Sequence, residues 1–77
     1  MMLMTDRQKR FYVKLGANLR KARKRKGLTL TEVATLTNRG VSTVSENERG
    51  FTEIPFSVIM EYCKIYEVNI EDITPKY

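Results

Sequence analysis

Within the stretch GVSTVSENERG, residues 40–50, Ser42, Thr43, Ser45, Glu46 and Arg49 gather hydroxyl, carboxylate and guanidinium groups, and only Val41 and Val44 are apolar. A hydroxyl donates and accepts, a carboxylate accepts, and a guanidinium donates in a fork. Such a set suits recognition through hydrogen bonds. Covalent or acid–base chemistry is another matter: the chain has no His, so a Ser–His or Cys–His relay has no base. Cys63 lies in an apolar, helix-like run and reads as packing, and no group of thiols or carboxylates has metal-ligand spacing. The expectation is a chain that is not an enzyme and uses no metal, cofactor or small-molecule ligand.

If residues 41–49 form a helix with Val44 inward, Ser42, Glu46 and Arg49 point directly away and Thr43 and Ser45 flank them. Glu48 returns to the inner edge. Short side chains let a helix approach a surface closely, and this face suits base edges and phosphates in a DNA major groove. The plainer alternative is a solvated, Ser/Thr-rich helix. Charge bears on the choice. Residues 1–50 carry 12 Lys/Arg against 4 Asp/Glu, whereas residues 51–77 carry 2 against 5. A basic front and an acidic back suggest a molecule that turns one side toward a polyanion.

The elements that must hold this face are readable from caps and periodicity. Thr5 and Gln8 have capping-box spacing, and a first helix can run from there to Lys26, stopped by Gly27, with Phe11, Leu15, Leu19 and Ala22 as its inner stripe. Gly16 weakens its middle, so a start near Lys14 behind a loose arm is the other option. In RKARKRK, residues 20–26, Arg20 and Lys24 point outward, Lys21 and Arg25 flank them, and Arg23 falls at the edge of the buried side. Cations in a last turn complement the helix dipole, and the outward ones are also candidates for phosphate. Thr29 with Glu32 caps a second helix, with Leu30, Val33, Ala34 and Thr37 inward. Asn38-Arg39-Gly40 is a turn, and the third helix ends at Gly50. Pro55 is placed to open a fourth helix reaching Glu67, and Asn69 caps a short fifth closed by Pro75. The predicted class is all-α, a compact five-helix bundle.

LGANLRKARKRKGLTLTEVATLTNRGVSTVSENERG, followed by FTEIPFSVIMEYCKIYEVNIEDI, resembles the Xre-type helix-turn-helix domain of phage repressor and Cro proteins, the lambda-repressor-like fold. The resemblance covers about residues 15–73. It rests on Leu19 and Arg23, Gly27-Leu28, Glu32-Val33-Ala34, Glu48-Arg49-Gly50 and the closing YEVNIEDI. It implies a regulator that binds double-stranded operator DNA through helices 2 and 3, as a homodimer on a palindrome. It implies base-reading positions at Val41, Ser42 and Glu46, and a structural ion pair between Arg23 and Glu48. Candidate DNA-backbone contacts are Lys24, Thr29, Arg39, Thr43, Ser45 and Arg49. The pattern departs at Leu30, where the family often has Gln, and at Arg39 and Asn47, where it usually has apolar residues.

Three segments follow: an N-terminal extension over residues 1–14, a helix-turn-helix domain over 15–74, and a tail over 75–77. In helix 4, Phe56, Ile59, Cys63 and Tyr66 make a core stripe. Val58, Tyr62 and Ile65, continued by Ile70 and Ile73, form a second apolar side that is either a dimer seam or buried all round. No apolar run approaches the roughly 18 residues of a membrane span, and MMLM is too short for a signal-peptide core. A cytoplasmic repressor or Cro-like switch, nucleoid-associated if bacterial or phage, is the leading expectation. The alternative is a protein-interaction module or antitoxin-type partner on the same fold.

Overall fold

The computed structural model describes residues 4–76, so residues 1–3 of the extension and Tyr77 of the tail lie outside the described residues. Five helices follow in order: α1 (Asp6–Lys26), α2 (Leu30–Thr37), α3 (Val41–Arg49), α4 (Phe56–Tyr66) and α5 (Ile70–Ile73), with no strand among the described residues.

Local chemistry sets most helix ends. Thr5 accepts from the Gln8 amide at 3.1 Å while its own amide donates to the Gln8 side chain at 2.8 Å. Thr29 and Glu32 repeat this reciprocal bond at 3.1 and 2.9 Å. The Asn69 amide donates to Asp72 at 2.9 Å. Gly27 stops α1 and Asn38 stops α2, both in the left-handed region that these residue types tolerate best. Pro55, expected as the first residue of α4, instead precedes it with an extended ψ of 144°.

The core combines Leu15, Leu19 and Ala22 of α1 with Val33 and Ala34 of α2, Val44 of α3, and Ile59, Tyr62, Cys63 and Tyr66 of α4. Ile54, outside any helix, fills the space beside α4 that the periodicity assigns to Phe56. Ile54 is 3% exposed and Phe56 67%. The first residue of a helix lies beyond the layer its axis packs against, so the loop supplies the plug.

Gly16 does not interrupt α1. A Cβ there would lie 2.5 Å from the carbonyl oxygens of Asn47 and Glu48, so the missing side chain is what lets α1 cross α3 so closely. Gly50 repeats the device from the other side: its φ is +72°, and a Cβ would meet the Val13 backbone at 2.5 Å. Together they seat the N-terminal half of α1 on the end of α3.

Asn47 is buried where an apolar residue is usual for the resemblance, and its Nδ2 donates to the Tyr62 hydroxyl at 2.6 Å. The ring of Tyr62 stacks on that of Tyr66, 5.9 Å between centroids. Burial pushes the Tyr62 phenol above its ordinary pKa, so it stays neutral and available as a partner. Tyr62→Phe should therefore cost about 1–3 kcal/mol, the penalty for an orphaned buried donor. Urea unfolding followed by circular dichroism reads this directly, and a midpoint matching wild type would show that the bond contributes nothing.

Candidate nucleic-acid interface

Val44, Asn47 and Glu48 bury one side of α3, which leaves Val41, Ser42, Thr43, Glu46 and Arg49 exposed and Ser45 half-buried. A stripe of two short hydroxyls and a carboxylate thus runs along the outer face, with the guanidinium at its C-terminal end. Gly40 precedes the helix and provides no side-chain cap, so the positive end of the helix dipole is not satisfied there by a side chain.

Arg23 and Glu48 fix α3 behind this face. The Arg23 Nε donates to Glu48 Oε2 at 2.7 Å, Nη2 donates to Oε1 at 3.1 Å, and Nη1 donates to the Leu28 carbonyl at 2.8 Å. Both side chains are nearly buried. The hydrogen bonds from Arg23 to the Glu48 carboxylate raise the guanidinium above its ordinary pKa and outweigh the effect of burial. One fork therefore joins the end of α1, the start of the α1–α2 turn and the last turn of α3.

Lys24 is exposed and shares a groove with Arg20, Lys21 and Arg49, lined also by Ala17, Val13, Phe51 and the Arg23-paired Glu48. Arg49 lies over the Phe51 ring at 4.4 Å, a cation–π contact that orders both. Phe51, missed from the sequence, had only one signal, an aromatic just after a helix-stopping glycine. Thr29 is exposed at the start of α2. Its oxygen accepts from the Glu32 amide, and hydrogen bonds from the Thr29 backbone and side chain hold the Glu32 carboxyl below its ordinary range. Leu30 is half-buried against the core and offers no polar group.

Two expected positions are corrected, and a third has a partner within the chain. Arg39 is turned toward α4: Nη1 and Nη2 donate to Glu61 at 3.1 and 2.8 Å, and Nη1 also reaches the Thr37 carbonyl at 3.2 Å. Tyr62 and Ile73, expected at a dimer seam, are 1% and 2% exposed in the monomer, because α4 is covered on that side and α5 folds under α1. The Asn18 side chain holds α5 there by donating to the Ile73 carbonyl at 2.8 Å. Val58, Ile65 and Ile70 are half-buried and packed on the core, and the strongly exposed apolar groups of α4 are Phe56 and Met60.

Among the described residues no group of His, Cys, Asp or Glu could hold a metal, and no helix is long and apolar enough to cross a membrane. What the arrangement offers is a polar helix face of small reach beside a cationic groove, on a helix-turn-helix bundle. A family model described as a helix-turn-helix domain matches residues 14–74, and the chain belongs to that family. The fold is also that of the clp gene regulator ClgR from C. glutamicum, known from a crystal structure. The two are 32% identical with a TM-score of 0.78 over 82% of this chain and 81% of that one. A comparison with curated proteins gave no match.

Proposed function

We propose that this protein is a sequence-specific, DNA-binding transcriptional regulator, a repressor or Cro-like switch that places α3 in the major groove of a palindromic operator. The observation that carries this reading is the outer face of α3. It is not part of the core, yet its helix is tied to α1 by the Arg23–Glu48 fork and bordered by the groove of Arg20, Lys21, Lys24 and Arg49. Likeness to a gene regulator supports it. In this reading residues 15–74 form the DNA-binding unit, preceded by the 1–14 extension and followed by the 75–77 tail, and it acts in the cytoplasm. Val41, Ser42 and Glu46 read bases, and Lys24, Thr29, Thr43, Ser45 and Arg49 meet the backbone. The exposed edges of Val58, Ile65 and Ile70 are the remaining candidates for a homodimer seam.

Selection of bound duplexes from a random pool, at one salt concentration, should enrich a pair of half-sites. Ser42→Ala, Glu46→Ala and Glu46→Gln should each relax preference at one or two positions per half-site. The loss should be about 1–3 kcal/mol on the best operator and little on random DNA. Lys24→Ala should weaken all sequences alike and reduce the salt slope by about 1. Superimposable preferences from wild type and the three α3 variants would remove base reading from this helix.

A second reading has one observation in its favour. Phe56 and Met60, one turn apart on α4, are 67% and 42% exposed, as a protein-interaction or antitoxin-type module would require. Absence of salt-sensitive DNA affinity would favour it.

A further inference from the structure

The family match begins at residue 14, whereas α1 begins at Asp6. Residues 6–13 therefore add about two helical turns ahead of the matched region. They carry Arg7, Lys9 and Arg10 against a single acid, Asp6. Residues 11–13 are seated on the rest of the molecule, while residues 6–10 are exposed. Gly50 admits the Val13 backbone, and Tyr12 is half-buried with Phe11 set edge-on to its ring at 5.2 Å.

This seating creates the outer end of the cationic groove. Val13 and Phe51, 52% and 60% exposed, both line it, and Arg10, which does not line the groove itself, is exposed one turn before Val13 on the same side of α1. At the inner end Arg49 belongs both to the groove and to the outer face of α3. Cationic walls over an apolar floor match a sugar–phosphate strand, whose phosphates need donors and whose deoxyribose faces are apolar. From Arg10 to Arg20 is about 15 Å along the helix, and a DNA strand carries a charge about every 3.4 Å of axis. Along the strand itself, where phosphates are roughly twice that far apart, about two or three fall within that span.

We propose that the extended α1 and the segment after α3 form a second contact surface for DNA. It grips the strand that flanks the half-site, with Arg10 at its outer end and Val13 and Phe51 against the sugars. The proposal rests on the DNA-binding reading and enlarges its footprint.

The test uses the full chain and two duplexes: the selected operator with about ten base pairs of flank on each side, and the same operator trimmed to its half-sites. Affinities are measured over a range of salt. Wild type should bind the flanked duplex more tightly. Arg10→Ala should weaken that duplex about 3- to 10-fold and lower its salt slope by about 0.9, with no change on the trimmed one. Arg10→Lys should restore most of the loss, because a phosphate accepts either cation. Phe51→Ala should show the same preference for flanked DNA in its loss. Equal wild-type affinity for the two duplexes overturns the proposal. Equal losses by Arg10→Ala on both duplexes overturn it as well. If Lys24→Ala lowers the slope while Arg10→Ala leaves both duplexes unchanged, the extension alone fails. A wild type without salt-dependent affinity removes the parent reading too.

Discussion

Gly16→Ala should destabilise the protein by about 2–3 kcal/mol, although alanine is the better helix former by up to about 1 kcal/mol. The added methyl has nowhere to go. Its position lies 2.5 Å from two backbone carbonyl oxygens of α3, and backbone cannot rotate aside as the end of a long side chain would. Forcing atoms into a packed interior costs about 1–3 kcal/mol, occasionally more, and this contact belongs at the upper end. For a small domain that is a large share of its total stability. Gly27→Ala is the control: nothing lies within 4 Å of its Cβ position, so only the strain of φ +77° remains, about 1–2 kcal/mol. Urea denaturation of the pair decides the matter. A Gly16→Ala protein as stable as wild type would mean that α1 and α3 do not cross as closely as described.

Breaking the Arg23–Glu48 fork from either side should also have a large effect. Removing one partner of a buried pair leaves an uncompensated charge and costs about 3–5 kcal/mol. Arg23→Met additionally strips the Leu28 carbonyl of its donor. Glu48→Leu leaves the guanidinium facing a hydrocarbon wall. Arg23→Met combined with Glu48→Leu removes both charges, so it should be less costly than the sum of the single changes, with coupling well above 0.5 kcal/mol. Strict additivity in that cycle would show that the two groups do not interact in solution. Because Arg49 follows Glu48 directly, the single variants should also weaken DNA binding by loosening the last turn of α3.

Features decided by neighbours in sequence were the ones open to sequence reading. The reciprocal bonds at Thr5 with Gln8, Thr29 with Glu32 and Asn69 with Asp72 need only three-residue spacing, and the helix order followed from them. Wheel geometry placed Arg23 and Glu48 at buried edges of their helices, where the structure has them bonded. Crossings between helices were not readable. Gly16 looks like a weakness in α1 until the α3 carbonyls are placed against it. Asn47 looks like a departure until Tyr62, 15 residues on, is brought to its amide. The exchange of Ile54 for Phe56 has the same origin, because an isolated apolar residue in a loop has no periodicity to betray its burial. At the candidate interface, the outward face of α3 was legible from its lack of core residues. The apolar floor contributed by Val13 and Phe51 was not.

The bond from Arg39 to Glu61 has a consequence for any titration with salt. A hydrophobic plug at this turn would be indifferent to ionic strength, but here the entry to α3 is fastened by opposite charges that remain partly open to water. Glu61 is held below the usual carboxylate range chiefly by its hydrogen bonds from Arg39, a contact that weakens as added ions screen it. In the proposed reading salt would act on this molecule twice: it would compete with phosphates for the cationic groove, and it would slacken the mooring of the helix assigned to the DNA. A salt titration would then report the tautness of the protein as well as the number of phosphates in contact.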